Sequence, residues 1–251
     1  MTSPDTARFA AITLTFLIAG TVKGVTGMGL PTVAMGVLGT LMLPAEAAAL
    51  LILPSFVTNV WQLVAGPRLG ALVKRFWPMM AGIVIGTVAA ASFIAGSGGV
   101  RAVTGLGLGA ALTLYAVSGL LSWQFSVPQR HERRLSPLVG VVTGLVTGGT
   151  GVFVVPAVPY LQALDLKKED LVQALGLSFT VSTVALAIGL ARASAFTTTD
   201  LTSSLLAVVP ALSGMWIGQH IRGHISPATF RRWFFICMLA LGLQLLLRHL
   251  I

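Results

Sequence analysis

The sequence predicts an all-α integral membrane protein with two inverted-topology repeats of five hydrophobic segments each. Three observations support this prediction: the scarcity of charge, the apolar runs and a repeated set of motifs. Hydrophobic residues make up 55% of the 251 residues and charged residues only 9%, against about 25% charged in soluble domains. Because so few polar side chains could cover a surface in water, we expect one polytopic domain in lipid.

The distribution of the charges excludes several classes of protein. The chain has 16 Lys and Arg against 7 Asp and Glu, but the basic residues lie in short loops, where they set membrane orientation, so no nucleic-acid partner is expected. The single Cys237 excludes a disulfide framework within the chain and a thiolate metal cluster. No Asp, Glu or His falls in the middle of a segment. We therefore expect no cofactor, no metal and no enzyme activity.

Apolar runs bounded by glycine, proline and charge give ten segments in two sets of five. They cover residues 9–22, 30–43, 47–65, 76–95, 100–121, 135–147, 151–164, 171–190, 201–219 and 229–247. The first two segments of each set have 13 or 14 residues, which is about 20 Å of helix against about 30 Å of hydrocarbon. These four short segments are predicted to be half-helices, forming either re-entrant hairpins or thin spans.

The two sets share motifs in the same order, which indicates an internal duplication. The motif 25–27 recurs at 146–148, Ser55-Phe56 recurs as Ser178-Phe179, and Pro78, Gly82 and Gly86 recur with the same spacing as Pro210, Gly214 and Gly218. The proline–glycine stripes are interpreted as surfaces for close helix packing. The predicted organisation is a first transmembrane repeat at 1–128, a basic cytoplasmic connector at 129–135 and a second repeat at 136–251.

The basic residues predict the orientation. If each short pair returns the chain to the side it came from, four loops share one face. That face then carries Arg68, Lys74, Arg75, Arg130, Arg133, Arg134, Lys167, Lys168, Arg222, Arg231 and Arg232, against Arg8, Arg101, Arg192 and Arg248 opposite. The positive-inside rule prefers this arrangement to a single crossing per pair. It inverts the second repeat and puts both termini on the non-cytoplasmic side of a cell inner (plasma) membrane.

Glycine-rich breaks join the short pairs and suggest a binding site near the bilayer midplane. The breaks are predicted at 23–29 and 147–151, with new helices beginning near Gly29 and Gly151. Helix N-termini inside the bilayer offer free N–H groups and partial positive charge, so the site should prefer an anion. The candidate binding residues at the breaks are Thr26, Gly27, Gly29, Thr147, Gly148, Gly149, Thr150 and Gly151.

The third segment of each set contributes a polar stripe. Asn59 and Gln62 follow Ser55 and Thr58 on one helical face, and the second set carries Ser178, Ser182 and Thr183. Amides are costly against lipid, so Asn59 and Gln62 should point inward, and Ser178 and Ser182 are candidates beside them. Ser and Thr can instead bond to their own helix carbonyls. Lys23, at the first break, either neutralises a bound anion or extends to the interface.

The two glycine-rich breaks, each followed by proline at Pro31 and Pro156, resemble the duplicated signature of the TauE/SafE sulfite exporter family of anion permeases. The resemblance covers nearly the whole chain. It implies export or uptake of sulfite, sulfoacetate, other organosulfur anions or related small anions. The first break departs from a fuller glycine run at Met28 and Leu30.

Together these observations predict a membrane transporter of small oxyanions, with sulfite or an organosulfonate such as sulfoacetate as substrate and export as direction. An anion channel is the alternative within transport, and an intramembrane enzyme or a purely structural subunit are alternatives of other classes. The expected partners are a small anionic substrate and the lipid bilayer. The oligomeric state, with a homodimer among the options, stays open, as does any coupling ion.

Overall fold

The computed structural model describes residues 4–96, 99–121, 126–195, 198–224 and 226–250 and folds them into α-helices. In chain order the helices are α1 Pro4–Thr26, α2 Leu30–Leu41, α3 Pro44–Val64, α4 Leu69–Ala95, α5 Gly99–Leu120, α6 Gln129–Thr150, α7 Ala157–Gln162, α8 Lys168–Arg192, α9 Thr198–Ile221 and α10 Pro227–Leu250. Within the described residues, seven helices are long and apolar enough to span a membrane, and α2 is a shorter apolar helix. The all-helical membrane class is confirmed.

The first helix of each short pair is longer than predicted. The prediction of half-helices at 9–22 and 135–147 is wrong, because α1 has 23 residues and α6 has 22. Both helices continue into polar sequence: α1 includes Lys23, and α6 begins in the charged run that contains Glu132. Apolar runs reveal only the part of a helix that lies against lipid or core, and so they underestimate helices with polar ends.

The second helix of each pair is short, as predicted, but the two copies differ. Helix α2 has 12 residues and rises about 18 Å, whereas α7 has only 6. Residues 151–156 precede α7 outside any helix. Pro156 and Pro159 lack the N–H groups that a helix starting at Gly151 would need, which accounts for the late start.

Helices α1 and α2 form a hairpin whose ends lie at the same face of the bundle. Arg8, near the start of α1, pairs with Glu46 at 3.3 Å, and Glu46 follows α2 in the first turn of α3. Arg248, near the C-terminus, donates to the Thr40 carbonyl oxygen at 2.7 Å. We call this the termini face. The first pair therefore returns the chain to its starting side.

Helices α6 and α7 form the second hairpin, at the opposite face. Tyr160 of α7 donates to the Glu132 carbonyl oxygen at 3.2 Å, and its hydroxyl lies 2.7 Å from Ser136 Oγ. Glu132 also pairs with Arg75 at 2.6 Å, near the start of α4. Arg68 and Asp170 pair at 3.0 Å on the same side. We call this the basic face, because these ion pairs join three of the loops that the charge count placed together.

The proline–glycine stripes are packing surfaces, as interpreted from the sequence. A Cβ atom on Gly82 of α4 would lie 2.5 Å from the Pro137 carbonyl oxygen of α6, and one on Gly214 of α9 would lie 2.1 Å from the Leu17 carbonyl oxygen of α1. Only glycine allows backbones to approach so closely. Helices α4 and α6 run parallel, as do α1 and α9.

The helix pairing is symmetric between the two halves. The α1–α9 pair corresponds to α6–α4, and α3–α9 corresponds to α8–α4. The equivalent helices α5 and α10 pack antiparallel, since Gly109 meets Leu246 while Gly119 meets Phe235. The equivalent helices α3 and α8 also run antiparallel, with the end of α3 beside the start of α8. Antiparallel packing of equivalent helices is the geometry that an inverted duplication requires.

Candidate functional site

The first break is a three-residue turn between α1 and α2. Helix α1 ends at Thr26, and Gly27 and Gly29 have φ values of 79° and 101°, which favour glycine. Thr26 Oγ1 donates to the Met28 carbonyl oxygen at 2.7 Å and accepts from the Met28 N–H at 3.2 Å. Gly29 then precedes α2, as predicted. The residues from Lys23 to Thr26, placed in the break by the sequence, form the last turn of α1 instead.

The second break differs from its prediction. Residues Thr147 to Thr150 are the last turn of α6, and Gly151, with φ of 72°, ends that helix rather than starting a new one. Thr150 Oγ1 donates to the Val146 carbonyl oxygen at 2.6 Å and accepts from the Val152 N–H at 3.2 Å. The expected helix N-terminus near Gly151 is therefore absent from the described structure, because α7 begins only at Ala157.

The two breaks share a local motif. In both copies a threonine ends the helix, bonds to the carbonyl four residues before it and is followed by a left-handed glycine. The helix packing, however, matches Gly24 of α1 with Gly144 of α6, because Gly24 meets Met215 of α9 as Gly144 meets Ile83 of α4. This register pairs 25–27 with 145–147, one residue from the predicted match to 146–148. Thr150-Gly151 therefore lies one turn further along its helix than Thr26-Gly27.

The breaks lie at different depths in the bundle. Gly29 contacts the ring of Phe234, near the start of α10 at the basic face. The Thr150 methyl group lies against Gly107, near the start of α5 at the termini face. Each hairpin therefore passes the middle of the bundle and turns nearer the opposite face, so the breaks do not meet at one level.

Lys23 is the centre of a buried polar cluster that joins three helices. Its side chain is 3% exposed, and Nζ donates to Asn59 Oδ1 and, at 3.1 Å, to Thr58 Oγ1. Asn59 Nδ2 in turn donates to Thr183 Oγ1 of α8 at 3.3 Å. Lys23 therefore points inward. The alternative prediction, that its side chain extends to the membrane interface, is not observed.

The cluster contains no counter-charge for the lysine. The ion pairs found in the described part of the chain, Arg8–Glu46, Arg68–Asp170 and Arg75–Glu132, do not involve Lys23. Its hydrogen-bond partners are a neutral amide and a neutral hydroxyl. Burying a charge without a partner of opposite sign costs several kcal/mol. An anion beside Lys23 would offset part of that cost.

Three hydroxyls next to this cluster are buried without a hydrogen-bond partner. Ser55 lies one turn before Asn59 on α3, while Ser182 adjoins Thr183 on α8 and Ser178 lies one turn earlier. All three side chains are fully buried. Buried hydroxyls in native proteins are nearly always paired, so these three are free to bond a polar ligand or water.

Gln62 is buried, as predicted, but it bonds to the main chain of α8 and not to Lys23 or Asn59. Gln62 Nε2 donates to the Val172 carbonyl oxygen at 2.8 Å, and Gln173 Nε2 donates to the carbonyl oxygens of Leu63 and Gly66 at 2.8 and 2.7 Å. These two glutamines link the end of α3 to the start of α8 towards the basic face. Gln62 Oε1 remains buried and unpaired.

The predicted glycines of the second break have two different environments. A Cβ atom on Gly148 would lie 2.3 Å from the Thr87 carbonyl oxygen of α4, so Gly148 serves helix packing. Gly149 has no atom within 4 Å of its Cβ position. Thr147 Oγ1 donates to the Thr143 carbonyl oxygen at 2.8 Å. The hydroxyls of Thr26, Thr147 and Thr150 all bond to the main chain. None of these bonds connects the second break to the Lys23 cluster.

The sequence did not single out Thr58 and Thr183 among the polar stripe residues. They contact Lys23 and Asn59, respectively, while also bonding to carbonyls of their own helices. Their helical spacing placed them on the stripe, but only the packing of α1, α3 and α8 shows which stripe residues meet.

Fold and site together define a multi-pass helical membrane protein with a buried polar site beside a broken helix. The family model described as "Sulfite exporter TauE/SafE" matches residues 12–245. The chain belongs to this family and is a membrane transporter of the sulfite and anion exporter type. Neither a comparison with curated proteins nor one with solved structures gives a significant match. The resemblance inferred from the glycine-rich breaks is thus confirmed.

Proposed function

We propose that the protein exports a small oxyanion, sulfite or an organosulfonate such as sulfoacetate, and binds it beside Lys23 where α1, α3 and α8 meet. The observation that carries this proposal is a buried lysine whose partners are all neutral. An anion is the ligand that such a lysine lacks. Export of a monoanion from an inside-negative cell is favourable by about 2.3 kcal/mol per 100 mV, so the membrane potential alone can drive it.

The unpaired hydroxyls support an oxyanion rather than a simple halide. Ser55, Ser178 and Ser182 each offer a donor that finds no acceptor within the described structure. An anion with several oxygens can accept from several donors at once, and hydrogen bonds to a charged acceptor are stronger than neutral ones. Asn59 Nδ2, now bonded to Thr183, can add a further donor.

The breaks contribute in two ways in this proposal. The N-terminus of α2 at Gly29 offers free N–H groups and partial positive charge one turn beyond Lys23. Gly27 and Gly151 allow the hairpins to turn within the bundle. The hydroxyls of Thr26, Thr147 and Thr150 hold these turns through hydrogen bonds to the main chain. Gly148 packs against α4, and Gly149 lies on the outward face of α6 one turn after Leu145, so neither contacts the anion in this proposal. Gln62 closes the path between α3 and α8 towards the basic face.

Two hairpins entering from opposite faces suit an alternating-access cycle, in which the site opens to one side at a time. Saturable uptake with counterflow in proteoliposomes would support a carrier, whereas flux without counterflow would identify an anion channel. Binding should first be screened by thermal shift with sulfite, sulfate, thiosulfate, sulfoacetate and small carboxylates. If none of these anions stabilises the purified protein, the proposed substrate class is wrong.

The Ser182→Ala variant should bind the anion about two- to tenfold more weakly, because it removes one hydrogen-bond donor. The matched control is Thr113→Val, since Thr113 on α5 also has a buried hydroxyl without a partner but lies outside the cluster. Isothermal titration with the stabilising anion measures both affinities. Equal losses in the two variants would remove Ser182 from the site.

We further propose that the two repeats are inverted and that the termini face lies outside the cytoplasm, in the plasma membrane. The antiparallel packing of equivalent helices and the excess of basic residues at the basic face support this orientation.

Cysteine labelling should distinguish the two faces. In a Cys237→Ser background, an impermeant maleimide added to intact cells is expected to label Arg192→Cys, at the end of α8, but not Ser226→Cys, between α9 and α10. Both positions are exposed. The reverse pattern would place both termini in the cytoplasm.

A further inference from the structure

A cavity of about 340 Å³ opens at the basic face between the start of α4 and the start of α6. Lys74, Arg75 and Trp77 line it from α4, and Glu132, Arg133 and Ser136 line it from α6. It lies at the ends of these helices, outside the Lys23 cluster. Nothing in the proposed transport function requires it.

The cavity carries more positive than negative charge. Among the described residues that line it, the one carboxylate is Glu132, which Arg75 engages through two hydrogen bonds of 2.6 and 2.7 Å. Lys74 and Arg133 are exposed and form no ion pair within the described part of the chain. Two cations thus remain available beside a neutralised pair, which indicates an anionic ligand.

The surroundings of the cavity place that ligand at the membrane interface. Trp77 is 63% exposed beside Lys74, and tryptophan collects at the level of lipid headgroups. Deeper along the same two helices, large apolar side chains face outwards. They are Val84 and Ile85 on α4 and Leu138, Val142 and Leu145 on α6.

These outward side chains have helical spacing on α6, at i, i+4 and i+7, so they form a continuous stripe. Helix α4 lies directly beside it, because Gly82 and Gly86 bring the two backbones together. An apolar surface therefore runs from the basic cavity into the depth of the bilayer. A phospholipid has the same arrangement, with a charged headgroup above acyl chains.

We propose that this cavity binds the phosphate headgroup of an anionic phospholipid, with the acyl chains lying along the outer faces of α4 and α6. Lys74 and Arg133 contact the phosphate, and Trp77 packs at the headgroup boundary. Arg75 holds Glu132 away from the lipid phosphate through its paired hydrogen bonds. Basic pockets between membrane helices are suited to such headgroups.

Native mass spectrometry of the full-length protein, incubated with phosphatidylglycerol or phosphatidylcholine, tests this site. The unaltered protein should retain phosphatidylglycerol in preference to phosphatidylcholine. The Lys74→Gln/Arg133→Gln variant should bind phosphatidylglycerol about thirtyfold more weakly. Each basic residue near an anionic lipid raises the affinity about fivefold, and the variant loses two such factors. The matched control, Arg222→Gln/Arg232→Gln, removes the same charge from exposed positions elsewhere on the basic face.

Three outcomes would overturn the proposal. Equal loss of phosphatidylglycerol in the two variants would show that overall positive charge, and not the cavity, attracts the lipid. Unchanged binding in both variants would show that the cavity does not bind the lipid. Thermal stabilisation by inorganic phosphate equal to that by phosphatidylglycerol would assign the cavity to a free anion.

The thermal midpoint of both variants in phosphatidylcholine should match that of the unaltered protein, because all four side chains are exposed.

Discussion

Replacing Lys23 by methionine is expected to weaken anion binding by about ten- to a hundredfold and to slow transport at concentrations that just saturate the unaltered protein. A hydrogen bond to a charged group is worth about 1.5–3 kcal/mol, and a factor of ten in affinity corresponds to about 1.4 kcal/mol. Methionine fills a similar volume without the amino group, so the packing between α1 and α3 is preserved.

Lys23→Arg should retain measurable binding, because it keeps the positive charge in the same place. Lys168→Met is the matched control, since Lys168 is exposed in the first turn of α8 at the basic face. Isothermal titration and proteoliposome uptake with the anion found by thermal shift give the two readouts. Full affinity in a folded Lys23→Met protein would show that the lysine is structural and would refute the proposed site.

The second large effect is expected from one added methyl group at Gly86. In Gly86→Ala the new Cβ atom would lie 2.3 Å from the Val141 carbonyl oxygen and 2.8 Å from the Leu145 nitrogen. Helix α4 would have to move away from α6, at a cost on the order of 1–3 kcal/mol, which is typical of overpacking. The thermal midpoint in detergent should therefore fall.

Gly70→Ala in the same helix is the matched control, because no atom lies within 4 Å of its Cβ position. That variant should be unchanged or up to about 1 kcal/mol more stable, through the higher helix propensity of alanine. The equivalent substitution in the other half, Gly218→Ala, should destabilise like Gly86→Ala, since its Cβ atom would meet the Thr21 carbonyl oxygen at 2.2 Å. Equal stability of Gly86→Ala and Gly70→Ala would contradict close α4–α6 packing.

Much of the fold is readable from local sequence because lipid imposes a simple rule: spanning segments are apolar helices. The ten segments all overlap helices, and the repeated proline–glycine stripes mark the two tight helix pairs. Helix ends are harder to predict. The sequence around Lys23 and around Thr147 to Thr150 looks like a break, since it combines glycine, threonine and charge, yet it continues the helix until a left-handed glycine ends it.

The candidate site, too, could be predicted only in part from the sequence. Helical spacing puts Asn59 and Ser182 on inward faces, but it cannot say which polar residue meets which. The sequence left two orientations open for Lys23, because a long side chain can point either to the membrane interface or to the core. The contacts with Thr58 and Asn59 show that it points to the core. Gln62, on the same stripe as Asn59, bonds to Val172 of α8 instead.

The sequence by itself determined that this protein lies in a membrane, that it is helical and that it belongs to the TauE/SafE family, and it predicted the duplication. These properties depend on composition and on motifs repeated along the chain. Only the tertiary structure decided that both short pairs are hairpins whose ends lie at opposite faces of the bundle. It also decided that the hairpins turn at different depths and that Lys23 is buried without a counter-charge. Those facts depend on contacts between helices far apart in the chain, such as Lys23 with Asn59 and Arg248 with Thr40, which local patterns of apolar and polar residues do not encode.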